Sequence, residues 1–351
     1  MARPIQSNSL RSIAKATGVS ATTVSRVLKG SSEVGDRTRR TVLAAARRAG
    51  YDAAVAEPTR SRGASLQAPW IAIVYTGGYL SADSAYDTSV LAGVQRGLAK
   101  TRYGVAMLHL DRGPEAESRG SYRAFFAQRG IAGALLRTNA QTRAVCPQIA
   151  AEGFPCIALA ERFEDAEPAV PYVCCDSGPP SHAAVSHLIH LGHRRIALLT
   201  ARMPDRDHQD RIDAYRRALD EAGLPRDERL EIHLRPRVAD GATAIRQLLA
   251  LPDPPTAAFV TDPDTSLGVI QKLHEMKVSV PGRFSVVGFD DGHMRHTTHP
   301  RLTAVCQDAA DLGAEAAQRL NRLLLGQPQA SISMRIPAQF EIHDSVAPPP
   351  Q

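Results

Sequence analysis

The chain has 351 residues and 43% hydrophobic side chains, enough for two or three domains with substantial cores. Its net charge of +6 is unevenly spread: residues 1–62 hold 12 Lys/Arg against 4 Asp/Glu, so this segment is at +8 and the remainder at −2, which argues for phosphate attraction by one module and against a sticky surface throughout. Five cysteines, an odd number without CxxC spacing, argue against a disulfide scaffold or a zinc ribbon, and the absence of an apolar leader or long apolar run argues against export or a membrane span, so the cytoplasm is the expected compartment.

Residues 9–30, SLRSIAKATGVSATTVSRVLKG, carry the first organised pattern. Leu10, Ile13 and Ala14 share one face of a first helix, Gly18 suits the left-handed turn that ends it, and Ser20 suits the cap of a second. On that second helix Val24, Val27 and Leu28 form the inward stripe. Ala21, Thr22, Ser25, Arg26 and Lys29 share the opposite face, which is small, polar, basic and without a carboxylate, as a major groove requires. A plain amphipathic hairpin would explain the apolar spacing but not that outward face. Residues 31–51 then predict a third helix, capped by Asp36, with Val42, Ala45, Ala46 and Ala49 inward.

GVSATTVSRVLKG followed by TRRTVLAAARRAGY resembles the headpiece of the lactose-repressor (LacI/GalR) family of bacterial transcription factors. The resemblance implies that Ala21, Thr22 and Arg26 read base edges and that Ser20, Thr23 and Ser25 contact phosphates. Arg26 is the candidate for bidentate pairing with guanine, and Lys29, where the family usually has Asn, is assigned to a phosphate. The expected headpiece is 1–52 and the linker 53–68. Here the chain departs from the family, lacking both the Pro-Asn pair and the wedge Leu; Pro58 interrupts a hinge helix, and Arg60 falls where the Leu is expected. Either Arg60 and Arg62 line a narrow minor groove, or the segment is a solvated linker.

From residue 70 onward strands and helices alternate twice. The first pass has strands at 71–76, 105–110, 132–137 and 156–160 and a helix near 90–104; the second has strands at 196–200, 257–261 and 285–290 and a helix at 211–224. Apolar runs without alternation, separated by helices, predict parallel sheets covered on both faces. The fold class is therefore α/β, an all-α headpiece followed by a two-lobed domain with one cleft at the carboxyl ends of its strands. The resemblance continues to the C-terminus as the periplasmic-binding-protein-like effector domain of that family, through VCCDSGPPSHAAVSHLIHLGHRRIALLT, RIDAYRRAL, SVVGFDD and HPRLTAVCQD. The expected bounds are 69–345 for the domain, 69–188 plus 304–328 for the first lobe, 189–303 plus 329–345 for the second, and a disordered tail at 346–351.

By that resemblance Arg211 and Asp290 hold ligand hydroxyls, a guanidinium donating along two lines and a carboxylate accepting from two. Asp262 adds a carboxylate where the family has Asn, and Tyr86 falls near a sugar-capping position. Tyr75, Tyr79 and Phe289 are further candidates for an aromatic wall, although such residues more often pack a core than stack on a ligand. His182, His187, His190 and His193 invite a zinc reading, but His187 and His193 recur in the family without metal; no metal or other cofactor is expected. GxSxG, HExxH and Walker patterns are missing, so no catalysis is expected. The function expected is a ligand-responsive transcriptional regulator, a repressor by default. Its expected partners are a near-palindromic double-stranded DNA operator, a carbohydrate effector and a second copy in a homodimer, with no membrane. The alternatives are a sugar-binding module and a sugar-acting α/β enzyme with a DNA-binding head.

Overall fold

A computed structural model describes residues 10–28, 34–35, 38, 41–42, 45–46, 69–77, 84–110, 121–164, 169–327 and 332–350. They belong to two compact units, Met1–Gln67 and Ala68–Gln351. In the first, α1 (Leu10–Thr17) and α2 (Ala21–Leu28) are joined through Gly18, whose φ of +68° is the left-handed turn that glycine adopts without strain. Ser20 caps α2, its hydroxyl accepting the Thr23 amide at 3.0 Å. Ile13, Val24 and Val27 are buried together with Val42 and Ala46, which lie on helical backbone of the expected third helix. The proposed cap Asp36, Ala49, Lys29, Pro58, Arg60 and Arg62 lie outside the described residues.

The second unit opens with β1 (Trp70–Thr76), α3 (Ala85–Leu98), β2 (Gly104–Leu110), α4 (Tyr122–Gln128), β3 (Ile131–Arg137), α5 (Val145–Ala151), β4 (Cys156–Leu159) and β5 (Tyr172–Asp176). The chain then crosses to a second lobe of α6 (Gly178–His190), β6 (Ile196–Ala201), α7 (Arg206–Glu221), β7 (Glu231–Leu234), α8 (Val238–Leu249), β8 (Ala257–Val260), α9 (Pro263–Glu275), β9 (Ser285–Asp290), α10 (Met294–Thr297) and β10 (Thr303–Cys306). It returns for α11 (Ala309–Leu324) and β11 (Met334–Pro337), and ends in the second lobe with β12 (Gln339–Glu341).

The two sheets have one plan. Strand order is β2-β1-β3-β4-β5-β11 in the first and β7-β6-β8-β9-β10-β12 in the second; every pairing is parallel except β10 with β12. Each sheet is covered on both faces, which is why its strands read as continuous apolar runs. Along β1, Ile71 and Ile73 enter one core and Ala72 and Val74 the other; along β6, Ala197 and Leu199 alternate in the same way with Ile196 and Leu198. Order reverses beside β1 and again beside β6, so each sheet has a crevice at the carboxyl ends of its central strands. Among the described residues no helix is long and apolar enough to cross a membrane.

Three expectations need correction. The first crossing is at Ser177, not near 188, because Ala184, Val185 and Leu188 of α6 pack into the second-lobe core. Residues 334–337 pair with β5 in the first lobe, whereas the sequence places all of 329–345 in the second. The tail at 346–350 is tied down: the Ala347 carbonyl accepts from Ser285 Oγ at 3.0 Å and meets His193 Nε2 at 2.9 Å, and Val346 packs on the second-lobe core. His193 thus has a structural use, as does His187, whose ring meets Phe340 edge-on at 5.8 Å.

Reciprocal glycines set the helix spacing in both lobes. A Cβ on Gly93 of α3 would lie 1.8 Å from the Ala310 carbonyl oxygen, and one on Gly313 of α11 would lie 2.2 Å from that of Val90. Gly241 of α8 and Gly268 of α9 make the equivalent approach in the second lobe. Gly93→Ala must push α11 off α3, so thermal unfolding of the variant should show a loss of about 1–3 kcal/mol from overpacking.

Candidate ligand cleft and nucleic-acid interface

The carboxyl ends of the strands in both lobes converge on one cavity of about 190 Å³, the size of a small metabolite rather than a polymer. Tyr75 and Thr76 reach it from β1, Arg137 and Thr138 from β3, Ala201 and Arg202 from β6, Asp262 from beyond β8, Asp291 from beyond β9 and Gln307 from beyond β10. This is where parallel α/β sheets place their ligands, since strand ends and helix N-termini leave directed polar groups there.

Arg211 occupies the second turn of α7 and is 3% exposed. Its Nη1 donates to the Thr261 carbonyl at 2.8 Å, its Nε donates to Ser177 Oγ at 3.3 Å, and its guanidinium carbon lies 3.5 Å from the Phe289 ring centroid. The fixed guanidinium faces two buried acids. Asp291 accepts from Gln307 Nε2, and burial pushes its carboxyl up to about 7, with Arg211 and Gln307 opposing the shift and Asp262 and Asp290 adding to it. Asp207 accepts the Cys175 amide at 3.0 Å, and burial followed by repulsion from Asp205 raises its carboxyl too.

Arg137 ties the lobes together. Its Nη1 donates to Asp205 Oδ2 at 3.2 Å across the cleft, its Nε lies 3.5 Å from Asp87 Oδ1, and it sits 4.6 Å from the centroid of Tyr86. Asp205 in turn caps α7 and holds His208, Nδ1 to Oδ1, at 2.8 Å. Arg162, beyond β4, makes a second interlobe pair with Asp210. Around these ion pairs, Tyr86 Oη, Asp207 Oδ1, His208 Nε2 and Gln307 Oε1 are buried and have no hydrogen-bond partner among the described residues; all four belong to residues lining the cavity. Such groups call for a partner rich in hydroxyls, because burying them unpaired costs about 1–3 kcal/mol each.

Of the effector residues expected from sequence, Tyr86, Arg211 and Asp262 line the cavity and Asp290 does not. Asp290 is saturated by its own turn: it accepts the amides of Gly292, Met294 and Arg295 and the Arg295 guanidinium at 2.8–3.2 Å. The next residue, Asp291, is the one on the cavity wall. Asp262 both lines the cavity and caps α9, accepting the Thr265 amide at 2.9 Å. Tyr75 lines the cavity, Phe289 lies beneath Arg211 and does not, and Tyr79 is outside the described residues. Sequence reading missed Arg137, Asp205, Asp207 and Gln307; each stands at or just past a strand's carboxyl end or at the first turn of a helix after one, which was the available signal.

The Asp291 carboxyl carries a pH consequence. Unfolded, it titrates near 3.9; folded, near 7. Between those values the folded unit holds a proton that the unfolded chain has lost, so stability falls as pH rises from about 4 to about 7 and is flat above. Asp291→Asn removes that loss. Its Tm relative to the parent should therefore be higher at pH 8 than at pH 5 by at least about 3 °C, and an equal difference at both pH values would refute the burial-driven shift.

In the headpiece, α2 has the sequence ATTVSRVL, with no acid. Ala21, Thr22 and Arg26 are exposed and Thr23 and Ser25 half-buried. Exposed Ser20 is the helix cap, its Oγ lying 2.8 Å from Thr23 Oγ1, so those two hydroxyls already serve the helix start.

Comparison with known proteins finds a match within each of the two units. Residues 9–53 match the family model for bacterial regulatory proteins of the lacI family, and 185–346 match the periplasmic binding protein-like domain. The chain is 30% identical over 323 residues to the HTH-type transcriptional regulator GntR of Pseudomonas aeruginosa, covering 91% of this chain and 90% of that protein. It is 28% identical over 343 residues to DegA of Bacillus subtilis, covering 96% and 97%. Among solved structures, a CelR–cellobiose complex superposes with TM-score 0.67 at 26% identity, covering 98% of this chain and 100% of that one. A LacI-family regulator from Enterococcus faecium with bound ribose superposes at TM-score 0.66 and 25% identity, covering 80% and 99%.

Proposed function

The chain belongs to the LacI family of bacterial regulatory proteins and is a sequence-specific DNA-binding transcriptional regulator; from that premise we propose that a carbohydrate bound between its two lobes sets its occupancy of a near-palindromic operator. The carrying observation is the set of buried polar atoms on the cavity wall that have no partner among the described residues, with the fixed guanidinium of Arg211 on the same wall. A polyol satisfies that mixture of donors and acceptors, and cellobiose and ribose are bound in the two structural relatives described above. Tyr86, Arg211, Asp262 and Asp291 are the proposed effector contacts. Ala21, Thr22 and Arg26 are the proposed base readers, with Ser20, Thr23, Ser25, Lys29 and Arg60 on phosphates and the minor groove.

The protein acts as a cytoplasmic homodimer, each headpiece reading one half-site. The effector acts through the chain crossings: Arg211 is bonded to Ser177 and Asp291 to Gln307, so a ligand held by Arg211 and Asp291 bears directly on two of the points about which the lobes close. The coupling this provides is about 1–3 kcal/mol and is reciprocal, so operator DNA changes effector affinity by the factor by which effector changes operator affinity. The test is fluorescence anisotropy with a palindromic duplex and random competitor, repeated with a sugar panel. The proposal predicts duplex preference, steep weakening with salt, and a shift with at least one sugar. Turnover of a sugar by the purified protein would favour the enzymatic alternative.

A further inference from the structure

The cavity wall has a second, oppositely charged region that the hydroxyl-binding groups do not explain. Arg202 follows β6, and Arg235 and Arg237 follow β7; all three line the cavity. The loops bearing them are tied together, the Arg202 amide donating to the Leu234 carbonyl at 2.7 Å and the Arg237 amide to that of Arg235 at 2.8 Å. The other cavity arginines are engaged, Arg137 with Asp87 and Asp205, and Arg211 with Ser177 and Thr261. Arg202, Arg235 and Arg237 are exposed to the opening and have no carboxylate partner among the described residues.

Arg237 is also the N-cap residue of the twelve-residue α8 and provides no side-chain cap, so the first-turn amides of that helix are without an acceptor from the cap position. Three like charges on two joined loops repel one another, and an arginine fork is shaped for the paired oxygens of a carboxylate or phosphate. An anion placed there relieves the repulsion.

We infer that the effector is a polyol carrying an anionic group, its hydroxyls held around Arg211, Asp207, Asp291 and Gln307 and its carboxylate or phosphate held by Arg202, Arg235 and Arg237. This rests on the carbohydrate reading of the cleft and narrows it. Sugar acids and sugar phosphates share the required chemistry, and the panel separates them.

The test is titration calorimetry on the full chain with the common pentoses and hexoses, each as neutral sugar, aldonate, uronate and phosphate ester. The best anionic member should bind about tenfold or more tightly than its neutral counterpart, the gain of charge-assisted hydrogen bonds, and the gap should narrow as salt is raised. In the triple variant Arg202→Gln, Arg235→Gln, Arg237→Gln the gap should close while affinity for the neutral counterpart is retained. These side chains are exposed and have no carboxylate partner among the described residues, so the variant should unfold at or slightly above the parent's temperature. A neutral sugar that binds best, or an anionic lead that survives in the triple variant, overturns this inference and leaves the carbohydrate reading intact. Failure of every panel member to bind overturns both.

Discussion

Replacing Arg211 with alanine should weaken effector binding by at least about 30-fold and destabilise the two-lobed unit by about 3–5 kcal/mol, because two buried carboxyls lose the cation between them. Both effects have the same source. The guanidinium is 3% exposed, held by the Thr261 carbonyl and Ser177 Oγ, and is the cation acting on Asp207 and Asp291. Calorimetric titration separates them when Arg211→Lys is included: lysine keeps the charge and recovers much of the stability, but cannot hold the same parallel bonds while resting on Phe289, so effector affinity stays low. The loss of stability in Arg211→Ala should be larger at pH 8 than at pH 5, since only the ionised acids miss their partner. Parent-like effector affinity in both variants would remove Arg211 from the site.

The second large effect is expected on DNA. Arg26→Ala should cost about 1–3 kcal/mol of discrimination at each half-site, hence about 2–6 kcal/mol across a two-half-site operator, while binding to random duplex falls far less. The substitution removes an exposed side chain from α2 and leaves the Ile13–Val24–Val27–Val42–Ala46 core in place, so circular dichroism of the variant should match the parent. Competition binding with single-base-pair operator variants is the measurement. An unchanged ranking of those duplexes would show that Arg26 touches only phosphates.

How much of this was legible in the sequence depended on whether the signal was local. The headpiece was: Gly18 and Ser20 are a turn and a cap that act within a few residues, and both behave as their chemistry dictates. The parallel sheets were legible because burial on both faces leaves runs such as IALLT with no alternation to hide in. Lobe bounds were harder. Helix α6 follows β5 after the single residue Ser177, and only the packing of Ala184, Val185 and Leu188 shows which core it joins. The Asp290–Asp291 pair was ambiguous for a related reason: adjacent acids after a strand look alike until the Gly292–Arg295 turn claims the first and leaves the second on the cavity wall. Arg137 and Asp205 carried only the weak mark of lying near strand ends, since their pairing spans two lobes and 68 positions.

The chain passes between its lobes at Ser177, at Gln307–Asp308 and at Ala338, and this has a consequence for biosynthesis. The headpiece unit is complete once residue 67 has left the ribosome, but the first sheet lacks its edge strand until Met334–Pro337 are made, and α11 arrives only shortly before. A nonsense codon anywhere in that long interval leaves both sheets without an edge strand and so damages both walls of the cleft at once. Premature stops late in the message should therefore abolish effector binding outright rather than weaken it in steps.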